Sequence, residues 1–245
     1  LREAAEALER DKPAGRSVEW MAADAADPAA GPALVARAEA MLGPVTILVN
    51  NAGVYGPMGR LEDVDWGEWA EAVRINLLGT ALMCRAVIPG MRARRYGKIV
   101  NLSGGGATAP LPRISAYAAA KAGVVRLTET LAEELKDAGV DVNAMAPGPL
   151  NTRLLDEVLA AGPEKVGHAF YGQALAQRLE GGTPLARGAE LAAFLASAAS
   201  DGITGRLLSA VWDDWAAVAR ERERLSASDV YTLRRVVPAD RGWRE

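Results

Sequence analysis

The sequence predicts a doubly wound α/β domain built on a parallel sheet, and three observations predict it. Helical patterns alternate with short apolar runs along most of the chain, as successive βαβ units require. The internal runs end in small or glycine-containing segments: Asn50-Asn51-Ala52-Gly53, Ser103-Gly104-Gly105-Gly106 and Pro147-Gly148. In such a sheet those ends gather at the carboxyl edge, where ligands bind. Half of the residues are hydrophobic but only 5% are aromatic, and 25 are glycine, a mixture suited to helices packed closely on a sheet.

Residues 1–11 read as the end of a helix, and Val18 to Ala23 as a short strand. Pro28 to Leu42 reads as a helix stopped by Gly43-Pro44. Val45 to Val49 has the continuous apolar run of a buried parallel strand. A long helix is expected from Trp66 to about Arg95, with Pro89-Gly90 the place where it would bend or end. Lys98 to Leu102 is the next strand. From Ser115 to Lys136 the pattern is helical, with Val124, Leu127, Leu131 and Leu135 spaced to share one face. Val140 to Met145 is a strand, residues 150–180 a mobile helical excursion, Ala189 to Ala198 a helix and Arg206 to Val211 a last strand.

No repeat or linker divides the chain. Residues 1–212 read as the domain and 213–245 as a C-terminal extension of it, since the tail changes to seven Arg, seven acidic residues, two Trp and a Tyr. Its aromatic residues suggest that part of it packs on the domain or on a neighbouring subunit.

Composition excludes several classes. A formal net charge of -3 provides no electrostatic footprint for nucleic acid. Cys84 is the single cysteine, so an internal disulfide and a cysteine metal cluster are ruled out. The single histidine, His168, removes a His-based zinc site and fits an exposed helical position. No apolar run approaches the roughly 20 residues that span a bilayer, so no membrane is expected. The start is charged and helical and unlike a signal peptide, and the cytoplasm is the default compartment.

Chemistry enters with Tyr117-Ala118-Ala119-Ala120-Lys121. A four-residue helical spacing sets phenol and ammonium side by side. A positive charge stabilises the phenolate, so tyrosine can exchange a proton with an alcohol or carbonyl. Asn76, inside Arg74-Ile75-Asn76-Leu77-Leu78-Gly79, is a polar residue in an otherwise apolar helix. It fits either a working group or a satisfied core amide. Asp24 fits a turn or cap as well as a ligand contact, and Thr152 fits the N-cap of the next helix.

In order along the chain stand Asp24 before Asp27, Asn50-Asn51-Ala52-Gly53, Asn76, Tyr117 with Lys121, Pro147-Gly148 with Thr152, and Ile203-Thr204-Gly205. This set resembles the short-chain dehydrogenase/reductase family, from about Arg2 to about Leu208. The resemblance implies a Rossmann-like fold and an oxidoreductase that interconverts a carbonyl and an alcohol with NADP or NAD. It implies that Tyr117 is the general acid/base, and that Lys121 lowers the tyrosine pKa and holds the nicotinamide ribose. Asn76 would anchor a water of the proton relay. Asp24, Asn51, Ala52 and Gly53 would line the adenine side, and Pro147, Gly148 and Thr152 would border the nicotinamide or its phosphates. It implies a small-molecule substrate, no metal, and a homodimer or homotetramer when complete.

The pattern is broken at three places. Thirteen residues before Tyr117, where the family carries its catalytic serine, stands Gly104, and Ser103 lies one place early. Either the glycine loop turns Ser103 inward, or something else holds the substrate oxygen. The last strand ends in Ser209-Ala210-Val211-Trp212 instead of an acidic residue and glycine. No Gly-x-x-x-Gly-x-Gly loop exists in the chain. The expectation is a domain lacking its first two strands and the glycine-rich loop, so that Val18 to Ala23 splays away or slides over to pair with Val45 to Val49. Such a chain alone would hold NADP or NAD weakly and tend to aggregate. Two other readings stand beside the enzyme: a non-catalytic dinucleotide-binding or sensor protein on the same fold, and a hydrolase using Ser103.

Overall fold

The computed structural model describes residues 1–243. The chain runs through helices α1 (Arg2–Asp11) and α2 (Ala30–Leu42), strand β1 (Ile47–Asn50), helices α3 (Trp66–Val73) and α4 (Gly79–Arg94), strand β2 (Gly97–Leu102), helix α5 (Ser115–Glu134) and strand β3 (Val140–Ala146). Helices α6 (Arg153–Ala161), α7 (Pro163–Val166), α8 (His168–Glu180) and α9 (Leu185–Ala196) follow, then strand β4 (Leu207–Ser209) and helices α10 (Trp215–Arg220) and α11 (Arg222–Ser226).

Among the described residues the sheet has four strands in the order β1-β2-β3-β4, every pair parallel. Parallel pairing places the carboxyl ends of β1, β2 and β3 on one edge. Helices cover both faces, which is why the central strands can be apolar on both sides. Ile99, Val142, Cys84, Val87 and Met91 pack with α5 on one face. On the other, Val100, Met145 and Leu208 pack with Leu191 and Leu195 of α9.

Residues 18–23 are not a strand: they have no regular structure, and Trp20 is 41% exposed. These residues form no ladder with β1, so the expectation of sliding onto β1 is not met. Pro89 sits inside α4 and does not end the helix that starts at Trp66. The irregularity is a π-turn at Arg74–Leu78, between α3 and α4. The whole stretch Trp66–Arg94 is, by length and composition, long and apolar enough to cross a membrane. Here it lies against the sheet through Cys84, Val87 and Met91. That corrects the reading that no segment reaches such a length.

The tail packs on the domain, as its aromatics suggested. Trp215 lies 5.4 Å from Phe194, with Arg187 5.0 Å over its ring. Arg206 donates to the carbonyls of Leu225, Ser228 and Val230 at 2.6, 2.9 and 2.8 Å. Residues 244 and 245 of the expected extension lie outside the described residues.

Candidate active site

The π-turn positions Asn76. One extra residue in a helical turn breaks the regular backbone ladder, and such turns recur at functional sites. The Asn76 amide takes up the loose end, donating to Ala72 O at 2.8 Å and to Val54 O at 2.7 Å. Its Oδ1 accepts from Val54 N at 3.3 Å. The side chain is fully buried and both its donors are spent on backbone. Asn76 therefore clamps the loop after β1 to the helix, the satisfied-amide reading of the sequence. Thr80 donates to its main-chain carbonyl at 2.9 Å.

The clamp brings the loop glycine over the site. A Cβ placed on Gly53 would lie 2.8 Å from Asn76 Oδ1 and 3.6 Å from Lys121 Nζ, so the three converge and only glycine fits. Asn51 and Ala52, one step earlier, are exposed. Beneath them a buried polar chain ties β1 to α5: Asn50 donates to Asn101 at 2.9 Å, and Asn101 to Thr128 at 2.9 Å. Nothing in the sequence motif pointed to Asn101 or Thr128.

Tyr117 and Lys121 both lie on the buried face of α5. The Lys121 ammonium is 5.6 Å from the Tyr117 ring centre and donates to Leu102 O at 2.7 Å, its one hydrogen bond among the described residues. Burial pushes Lys121 down to about 8. Burial also pushes the Tyr117 phenol well above its ordinary value, with the Tyr55 phenol adding to the rise. The expected depression of Tyr117 by Lys121 is thus absent from the free chain. Desolvation outweighs an ammonium that is turned toward a carbonyl. Tyr117 stands here as a neutral phenol, a proton donor.

Tyr55 went unnoticed in the sequence. It lies edge-on to Tyr117, the rings 4.8 Å apart at 74°. Its position two residues beyond Gly53 was the available signal. It packs with Leu155, Val158 and Val166, so helices α6 and α7 cover Tyr55. Next to it opens a cavity of about 450 Å³, lined by Gly56, Met58, Glu68, Glu157 and Lys165 among others. His168, on α8, is exposed, 3.6 Å from Glu164, and takes no part.

Ser103 extends the β2 ladder, its N–H bonded to Met145 O at 2.8 Å. Its hydroxyl is buried and without a hydrogen-bond partner. Pro147 and Gly148 follow β3 at the same edge, and Gly148 has a φ of 91°. Thr152 is the N-cap of α6 by backbone only, since its side chain makes no capping bond. Asp24 stands apart: it accepts from Ala26 N at 2.9 Å and pairs with Arg74 at 2.8 Å, both of which hold its carboxyl below the usual range.

A buried ammonium with a single carbonyl acceptor and an orphaned Ser103 hydroxyl leave polar capacity unused, which fits the hydroxyl-bearing ribose of a nicotinamide cofactor. Lys121, Tyr117 and the Gly53 loop would hold that end.

Residues 1–210 match the family model described as enoyl-(acyl carrier protein) reductase. An acetoacetyl-CoA reductase of Rhizobium meliloti is 39% identical over 178 residues, 72% of this chain and 70% of that protein. An inactive 2-(S)-hydroxypropyl-CoM dehydrogenase 2 of Xanthobacter autotrophicus is 40% identical over 134 residues, 55% of this chain, and the match spans only 58% of that relative. A solved gluconate 5-dehydrogenase of Burkholderia cenocepacia, in complex with NADP and tartrate, superposes with a TM-score of 0.73 at 30% identity, covering 85% of this chain and 79% of that one. The chain belongs to the short-chain dehydrogenase/reductase family, oxidoreductases that act on alcohol and carbonyl groups with NAD(P).

Proposed function

We propose that the site interconverts a carbonyl and an alcohol by hydride transfer, with Tyr117 exchanging the proton at the substrate oxygen. The observation that carries this reading is the convergence of Tyr117, Lys121, Asn76 and Gly53 at the carboxyl edge of β1 and β2. The nicotinamide cofactor supplies the hydride when bound. Tyr117, protonated in its buried seat, donates to the carbonyl oxygen in the reducing direction. Lys121, a cation below about pH 8, stabilises the phenolate left behind and keeps protons free for ribose hydroxyls. Asn76 holds the Gly53 loop at the distance a flat ring needs. Ser103, whose buried hydroxyl has no hydrogen-bond partner, would supply a further donor when substrate or cofactor is bound. Asn51 and Ala52, with Asp24, would reach the adenine side, and Pro147, Gly148 and Thr152 the nicotinamide side. The cavity beside Tyr55 would receive a small-molecule substrate under α6 to α8.

Steady-state turnover of a carbonyl panel with NADPH and NADH tests the reading. Tyr117→Phe is expected to lower turnover by at least about 10²-fold, the usual scale for lost acid/base catalysis, with little change in cofactor affinity. Turnover within a few-fold of the unaltered protein would remove Tyr117 from this role. Gly104, at the family's serine position, favours a second reading, a non-catalytic dinucleotide-binding protein. NAD(P) binding without turnover of any carbonyl would select it.

A further inference from the structure

Gly104 departs from the family's pattern, and backbone conformation does not explain it. It is not among the glycines of positive φ, so any residue could adopt its backbone angles. Space explains it. A Cβ built on Gly104 would lie 2.2 Å from the Tyr117 hydroxyl oxygen and 3.2 Å from Cζ, well inside contact. Gly105, the next residue of the same loop, would meet nothing within 4 Å. The crowding is specific to one position and to one atom across from it.

The Tyr117 ring has little room to retreat. Tyr55 stands edge-on 4.8 Å away and is wedged by the cluster of Leu155, Val158 and Val166. On α5 the neighbouring Ala116 and Ala120 are fully packed, at 0% and 1% exposure. The hydroxyl fills the volume that the first atom of a side chain at 104 would take.

We propose that Gly104 is a positioning residue: its missing side chain is the seat of the Tyr117 hydroxyl. Placing the family's serine at 104 therefore displaces the donor it was meant to assist. A serine at 104 is expected to lower activity, not to raise it. This inference rests on the proposed role of Tyr117 for its consequence in turnover, but not for the seat itself.

The seat is tested without substrate or cofactor. Denaturant unfolding midpoints are measured for the full chain and for Gly104→Ala, Tyr117→Phe and the double variant, with Gly105→Ala as a control. Gly104→Ala is expected to lower the midpoint, and to lower it by no more than about half as much once the hydroxyl is gone, because touching residues are non-additive. Gly105→Ala should leave it unchanged. Folding of Gly104→Ala only in the Tyr117→Phe background gives the same answer. Equal losses in both backgrounds, or failure to fold in both, overturn the seat. In turnover, Gly104→Ser and Gly104→Ala are both expected to lose roughly 10-fold or more, since even a 1 Å misplacement can cost about 10²-fold. A Gly104→Ser enzyme faster than the unaltered one also overturns it. If Tyr117→Phe keeps its activity while the midpoints still couple, the seat stands and the acid/base reading falls.

Discussion

β1 and β3 end in opposite surroundings, and the more polar strand is the more buried. β1, Ile-Leu-Val-Asn, is paired on one side only among the described residues, and its Ile47 and Val49 are 45% and 43% exposed. β3, Val-Asp-Val-Asn-Ala-Met-Ala, lies between β2 and β4 and is buried along nearly its whole length, Asn143 at 1% exposure. Asn143 tolerates this because it donates to Ile203 O at 2.6 Å and accepts from Arg206 N at 3.1 Å. Apolar composition measures what a strand gains from burial, whereas the number of neighbours decides whether it is buried.

The largest expected effect separates the two regions by stability. Leu208→Ala, beside β3 at 0% exposure, should cost about 2–5 kcal/mol, and Ile47→Ala on β1 under about 1 kcal/mol. Denaturant unfolding measures both. Comparable losses would mean that β1 is covered in solution, and the contrast would disappear.

A smaller effect concerns charge, which the buried region feels and the edge does not. Lys121 titrates near 8 in the folded chain, against about 10.5 ordinarily, so between those values the unfolded chain binds more protons and stability rises with pH. Tyr117, raised in the folded chain, acts oppositely: it makes stability fall once the unfolded tyrosine ionises above about pH 10. Burial also raises the Cys84 thiol from 9.0 to about 12, so stability falls as the unfolded thiol ionises, and the rise should appear between about pH 8 and 9. Unfolding midpoints across that window should climb for the unaltered chain and flatten for Lys121→Met. A climb that survives the substitution belongs to another group.

The smallest effect sharpens the edge itself. Val49→Lys is expected to change stability by less than about 0.5 kcal/mol while reducing self-association, since charge on an open strand edge opposes pairing. Light scattering against concentration reads this, and unchanged scattering would show that β1 is not where chains meet.

Much was legible before the structure. Strong helical and apolar periodicities placed β2, β3, α5 and α9 within a few residues, because each buries a continuous face. The ordered motif from Asn51 to Thr152 located the carboxyl edge for the same reason: small residues at strand ends mark where something must come close. Residues 18–23 misled, because a strand-like run states a preference that only a neighbouring strand can satisfy. Pro89 misled too, since α4 carries it without ending. The irregularity fell at 74–78, where the Asn76 amide could take over backbone groups that the π-turn released.

By itself, then, the sequence determined which residue types stand at which strand ends, and with them the family and the pairing of Tyr117 with Lys121 on one helical face. Contacts between residues far apart in the chain were decided by tertiary structure alone. Tyr55 against Tyr117, Asn76 against Val54, and the Tyr117 hydroxyl over Gly104 are separated by 62, 22 and 13 positions, as the numbers show (117 − 55, 76 − 54, 117 − 104). So was the protonation of the site, because desolvation depends on everything packed around a group and not on the residue four places along its helix.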